Sequence, residues 1–153
     1  MNDRLTPLVL YEDEDVLVLD KPSGLMVHGD GRSKEKTLVD WLLAGRSALK
    51  GVGEPLVLKE EKEIERSGIV HRLDKETSGV IIVAKTQDSF LHLKGQFMER
   101  ETVKIYRAFV TGRIKEERGS ITRPIGKSRS DFRQWSAGRN PRGTMREART
   151  DFR

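Results

Sequence analysis

Between His71 and Gly79 the chain places an imidazole (His71), a guanidinium (Arg72), a carboxylate (Asp74), an ammonium (Lys75) and two hydroxyls (Thr77, Ser78). A carboxylate in such company can serve as a nucleophile or a general base, and a nearby cation favours its ionised form. The same residue types also make ordinary turns, because Asp, Ser and Thr bond their own backbone and an Arg two residues from an Asp is often only an ion pair. Residue types alone leave both readings open.

The flanking sequence says how the carboxylate is held. Ile69-Val70 precedes it, and Val80 to Ala84 follows as a β-branched run that reads as a buried strand. Asp74 therefore sits on a loop that a strand anchors, with Gly79 free to make a tight turn or admit a close backbone approach. Upstream, Leu8 to Tyr11 and Val16 to Leu19 are apolar runs around an acidic tip and read as a hairpin or as a strand with a charged tip. Lys21-Pro22-Ser23-Gly24 then breaks the strand. His28 reads as a structural hydrogen-bonder.

Thr37 to Ala44, ended by Gly45, is expected as a short helix with Leu38, Trp41 and Leu42 on one face. Residues 45 to 66 read as a variable connection. Thr86 is a candidate N-cap for an amphipathic helix carrying Phe90, Leu93, Phe97 and Met98 and ending near Arg100. A βαβ-like hand-over into a strand over Val103 to Val110 is expected next. Its period of two puts Tyr106 on the face of Lys104 and Ala108, where it is either a half-buried strand aromatic or a site group. Beyond Gly112 two short strands joined by a charged turn are expected, closed by Arg123-Pro124-Ile125-Gly126.

Charge is divided unevenly. The net value is +5, but residues 1 to 103 hold 15 Lys/Arg against 19 Asp/Glu, and residues 104 to 153 hold 14 against 5. A basic final third suits a polyanionic partner, since each cation that neutralises a phosphate releases counterions. Between 127 and 149, Phe132 and Trp135 lie among arginines, a mixture that suits stacking on unpaired bases and binding of phosphate; a loop whose aromatics tuck back onto its own core is the equal alternative. There is no cysteine, the three histidines (28, 71, 92) have no metal-ligand spacing, and no phosphate-cradling glycine pattern occurs. No apolar run approaches the roughly 20 residues of a membrane span, and the first residues are not a signal or transit sequence. A cytoplasmic monomer without metal or membrane partner is the expectation.

HRLDKETSG followed by VIIVAKT resembles the signature of the RluA-type pseudouridine synthases, which isomerise uridine in ribosomal and transfer RNA. VLVLDKPSGLMVHGDG (Val16 to Gly31) is similar to that family's strand with a KPxGxxVH segment, and KIYRAFVTG (Lys104 to Gly112) to its K-x-Y-x-A strand. The resemblance implies Asp74 as the catalytic residue and Tyr106 as the active-site tyrosine that stacks on uracil or assists proton movement. Arg72 is implied as the residue inserted where the target base was, and His71, Thr77, Ser78 and Gly79 complete the expected substrate- and RNA-contacting set by shaping the loop. No cofactor is implied, and RNA is the implied partner.

EARTDFR resembles the family's A-x-T strand, after which members carry a GRTHQIR-like segment whose arginine pairs with the aspartate. That segment is not in this sequence. The expectation is one α+β domain over 1–153, a partial pseudouridine synthase catalytic domain truncated at its C-terminus, with a mixed, mostly antiparallel sheet, flanking helices and no S4-like domain. An enzyme that makes pseudouridine is the first functional expectation. An RNA-binding fragment unable to turn over is the alternative, and a hydrolase using Asp74 with another acid is a third, for which no motif supplies the second acid.

Overall fold

Two strands fix the position of everything around Asp74. In the computed structural model, which describes residues 5–29, 35–57, 63–129, 134–138 and 142–153, strand β2 (Val16–Lys21) pairs antiparallel with strand β5 (Gly79–Ala84). The register sets Leu17 opposite Val83, Leu19 opposite Ile81 and Lys21 opposite Gly79. Alternation then puts Leu17, Leu19, Ile81 and Val83 on one face, all fully buried. Strand β1 (Leu8–Glu12) adds to the other side of β2 through a hairpin whose tip is closed by Asp13, with Oδ1 accepting from the amides of Asp15 and Val16. The strand order is β1-β2-β5.

Helix α1 (Leu38–Gly45) packs Leu38, Val39 and Leu42 into the same core, beside Leu25 and Val27. Its start is fully capped. Thr37 and Asp40 exchange the reciprocal bonds of a capping box, and the free amides of Leu38 and Val39 donate to the carbonyls of Met26 and Val27. The connection that follows contains a 3-10 turn (Ser47–Leu49) and a two-stranded ladder of β3 (Leu56–Val57) and β4 (Glu63–Ile64). Helix α2 (Gln87–Met98) starts at Thr86, as its sequence predicts, with a Thr86–Ser89 capping box. Of its expected apolar face Phe90 is buried, whereas Met98 is 72% exposed.

The described residues form two compact units, 1–105 and 106–153. In the second, β6 (Gly119–Ile121) pairs with β10 (Thr150–Phe152), and β7 (Ile125–Lys127) lies between β8 (Trp135–Ser136) and β9 (Arg142–Arg146). Every described ladder is antiparallel. The α+β class is as expected, although the strands are divided among four small sheets.

Two expectations are corrected. Val103 to Val110 is not a strand, and the βαβ-like hand-over ends at α2. β-propensity records fit to a half-buried pleated surface, and this segment has neither a ladder partner among the described residues nor burial: Val103, Ile105 and Phe109 are almost fully exposed. Of the two strands expected after Gly112 one forms, β6, beyond the charged stretch; β7 falls on the segment expected to close the pair, and each pairs with later sequence rather than with the other. Phe132 lies outside the described residues.

Candidate active site

The segment before Asp74 is tied down by alternate residues. Ile69 forms a bridge to Val83 and is buried, and Leu73 is buried in the same core. With Leu73 committed inward, Asp74 is exposed at the start of a turn in which the Thr77 amide donates to its carbonyl at 3.1 Å. Arg72 is exposed too and makes no ion pair with Asp74, so the local salt bridge that the sequence allowed does not form.

The turn is gripped by the loop that ends β2. Gly24 N donates to the Lys75 carbonyl at 2.8 Å, Ser23 Oγ to the Glu76 carbonyl at 2.8 Å, and Lys21 Nζ to the Lys75 carbonyl at 3.1 Å. Lys21 Nζ also donates to the carbonyls of Pro22 at 2.9 Å and Leu25 at 2.8 Å. Three N–H groups thus meet three carbonyls, and the ammonium is satisfied in a fully buried position although burial lowers its pKa. Both middle carbonyls of the turn are consumed by this grip. The Asp74 carboxylate is displayed on a fixed backbone.

His71 is built into the fold. Its Nε2 accepts from the Ile82 amide at 3.1 Å, so the ring proton of the neutral form is on Nδ1, and the ring stacks on Phe97 with centroids 4.6 Å apart. Burial, and then the Lys104 ammonium, push its pKa down to about 4. Thr77 is half-buried and Ser78 exposed; Gly79 opens β5 with a φ of +128°, a conformation that favours glycine. Tyr106 is 63% exposed and belongs to the second unit.

The surroundings of the turn are cationic. Arg66 is half-buried, its Nε has no hydrogen-bond partner, and burial followed by the charge of Arg72 lowers its pKa. His28 donates from Nδ1 to the Gly29 carbonyl at 3.2 Å and is also held low by burial, with Arg72 and Arg66 adding to that effect. Lys75 pairs with Glu35 at 2.8 Å. Among the described residues neither Arg66 nor Arg72 forms an ion pair, which leaves two guanidinium charges for an anionic ligand. No cluster of three or more potential metal ligands is present among the described residues.

Sequence reasoning missed the grip of Lys21, Ser23 and Gly24. It read KPSG as a strand break, yet a signal was there: Lys21 continues the inward phase of Leu17 and Leu19. A lysine on the buried phase of a strand must find acceptors, and the exposed carbonyls of a turn supply them.

A family model described as RNA pseudouridylate synthase matches residues 15–153. An uncharacterized RNA pseudouridine synthase of Aquifex aeolicus is 40% identical over 127 residues, 83% of this chain and 37% of that protein. The ribosomal large subunit pseudouridine synthase D of Borreliella burgdorferi is 37% identical over 145 residues, 95% of this chain and 41% of its own length. The chain thus spans well under half the length of these curated relatives. Among solved structures, human RNA pseudouridylate synthase domain containing 1 superposes with a TM-score of 0.72 at 21% identity, covering 99% of this chain and 53% of that one. At that identity the likeness concerns the fold.

Proposed function

The chain belongs to the RNA pseudouridylate synthase family, and from that premise we propose that Asp74 is the catalytic residue for isomerising uridine to pseudouridine in ribosomal or transfer RNA. The observation that carries the reading is the exposed Asp74 carboxylate on a turn whose carbonyls are gripped by the 21–24 loop, two residues from the exposed Arg72, which forms no ion pair among the described residues. In the reaction the C1′–N1 glycosidic bond breaks and a C1′–C5 bond forms. C5 loses its proton and N1 carries one in the product, so mass is unchanged. Asp74 acts either as nucleophile at the sugar or as base on its C2′ proton.

A uridine in folded RNA must leave its stack to reach the carboxylate, at a cost of a few kcal/mol. Arg72, exposed and two residues away, is assigned the vacated position, and Tyr106 a place on the flipped uracil. The ring of His71 is engaged by Ile82 and Phe97, so its contribution, with those of Thr77, Ser78 and Gly79, is to the shape of the loop.

The test is pseudouridine formation on unmodified ribosomal and transfer RNA by this chain and by Asp74→Asn. The expected result is product from the former and none from the latter, with RNA binding retained. Product from Asp74→Asn overturns the assignment. RNA binding without product from either chain favours the second reading, a fragment that holds RNA without turnover, which the short span relative to its relatives makes a distinct outcome.

A further inference from the structure

The second unit carries a surface that the chemistry at Asp74 does not use. In the β8-β7-β9 sheet Trp135 is paired in register with Lys127, and Arg146 with Ile125, two residues along β7 from Lys127. Lys127 Nζ lies 4.5 Å from the Trp135 ring centroid and Arg146 Cζ 5.3 Å from it. The indole is 44% exposed, and neither cation forms an ion pair among the described residues. A partly exposed aromatic ring on a short sheet, with two cations that lie over it and form no ion pair among the described residues, offers the two components that single-stranded nucleic acid requires: the ring area the cations leave open for a base, and charge for the phosphates beside it.

We propose that Lys127, Trp135 and Arg146 form a contact for single-stranded RNA, in which an unpaired base stacks on the Trp135 ring and the two cations take adjacent phosphates. The inference rests on the family's RNA chemistry but concerns a place in the second unit, and it is independent of turnover at Asp74. Charge complementarity selects the occupant, since residues 104–153 hold 14 Lys/Arg against 5 Asp/Glu. Stacking is tolerant of base identity, so this surface holds unpaired RNA without choosing the uridine.

The chain has only two tryptophans, Trp41 and Trp135, which makes the contact directly observable. An oligouridylate of about ten nucleotides, long enough for a typical single-strand site, is titrated into the 153-residue chain carrying Trp41→Phe and, separately, Trp135→Phe. Trp135 emission is expected to be quenched and Trp41 emission to be unchanged. Trp135→Ala should weaken binding about tenfold or more, whereas Trp135→Phe, which keeps an aromatic face, should retain most of the affinity. Lys127→Gln and Arg146→Gln should each reduce the slope of log affinity against log salt by about 0.7.

Binding with no change in Trp135 emission, or undiminished affinity in Trp135→Ala, overturns the proposal and leaves the Asp74 reading intact. No binding of the oligonucleotide at all also overturns it. Should Trp135→Ala fail to fold, the emission of the two phenylalanine variants still decides. Quenching at Trp135 without pseudouridine formation sustains the contact and favours the reading of a fragment that holds RNA without turnover.

Discussion

Lys21 shows how a single buried residue can support a candidate site through backbone carbonyls alone. Its ammonium is wholly buried and bonded to three carbonyls, one of them at Lys75, next to Asp74. Lys21→Met keeps the length of the side chain and removes all three donors. Leaving buried acceptors unmet should cost about 2–4 kcal/mol, read as a lower urea midpoint at unchanged slope; a loss below about 0.5 kcal/mol, the scale of ordinary surface changes, would show that the carbonyls find water instead. His71 adds a pH dependence. Because its pKa falls from 6.5 to about 4 on folding, the unfolded chain binds the extra proton between those values. Its contribution is complete above about pH 6.5, declines as the pH falls toward 4, and changes no further below that. After allowance for partial exposure it is on the order of 1–2 kcal/mol. The stability gap between the wild-type chain and His71→Phe should shrink by that amount between pH 7.5 and pH 4, and a gap that stays constant would mean that the ring is not buried neutral.

At the scale of elements, the end of β5 depends on a glycine. Gly68 has a φ of +77°, its amide donates to the Val52 carbonyl and its carbonyl accepts from the Ala84 amide. A Cβ there would come within 2.0 Å of the Ala84 oxygen, so backbone would have to move. Gly68→Ala should therefore cost about 3 kcal/mol or more, combining the positive φ with the clash, and lower Tm by roughly 10 °C. Gly95→Ala, within α2 where a Cβ meets nothing within 4 Å, should stabilise by up to about 1 kcal/mol. Similar Tm values for the two variants would refute the close approach at Gly68. Local patterns made most elements legible: Thr37 and Thr86 mark both helix starts, and the β-branched run marks β5. They failed where partners are distant. The grip of loop 21–24 on the Asp74 turn joins residues more than 50 positions apart, and the apolar alternation of Val103 to Val110 cannot report that no ladder receives it among the described residues.

The whole molecule divides by packing as it does by charge. Residues 1–105 contain the buried cluster of β2, β5 and α1, while in 106–153 Gly126 is the buried position among the residues described. Few buried apolar contacts mean low local opening free energy. The stretch from 103 to 118 has no regular structure and exposes Lys104, Arg107, Arg113, Lys115 and Arg118, five sites for trypsin. Brief digestion should cut first within this stretch and release a fragment ending between Lys104 and Arg118, identified by mass spectrometry. Lys85, by contrast, closes β5 with its ammonium bonded to the Asp13 carbonyl and paired with Glu12 at 3.1 Å, and its amide donates to the Asp15 carbonyl. It should be cut only as the core opens. Cleavage at Lys85 as early as at Arg107 would mean that the core around the Asp74 turn opens as readily as the exposed stretch, and a turn held by so soft a core could not keep its carboxylate in place.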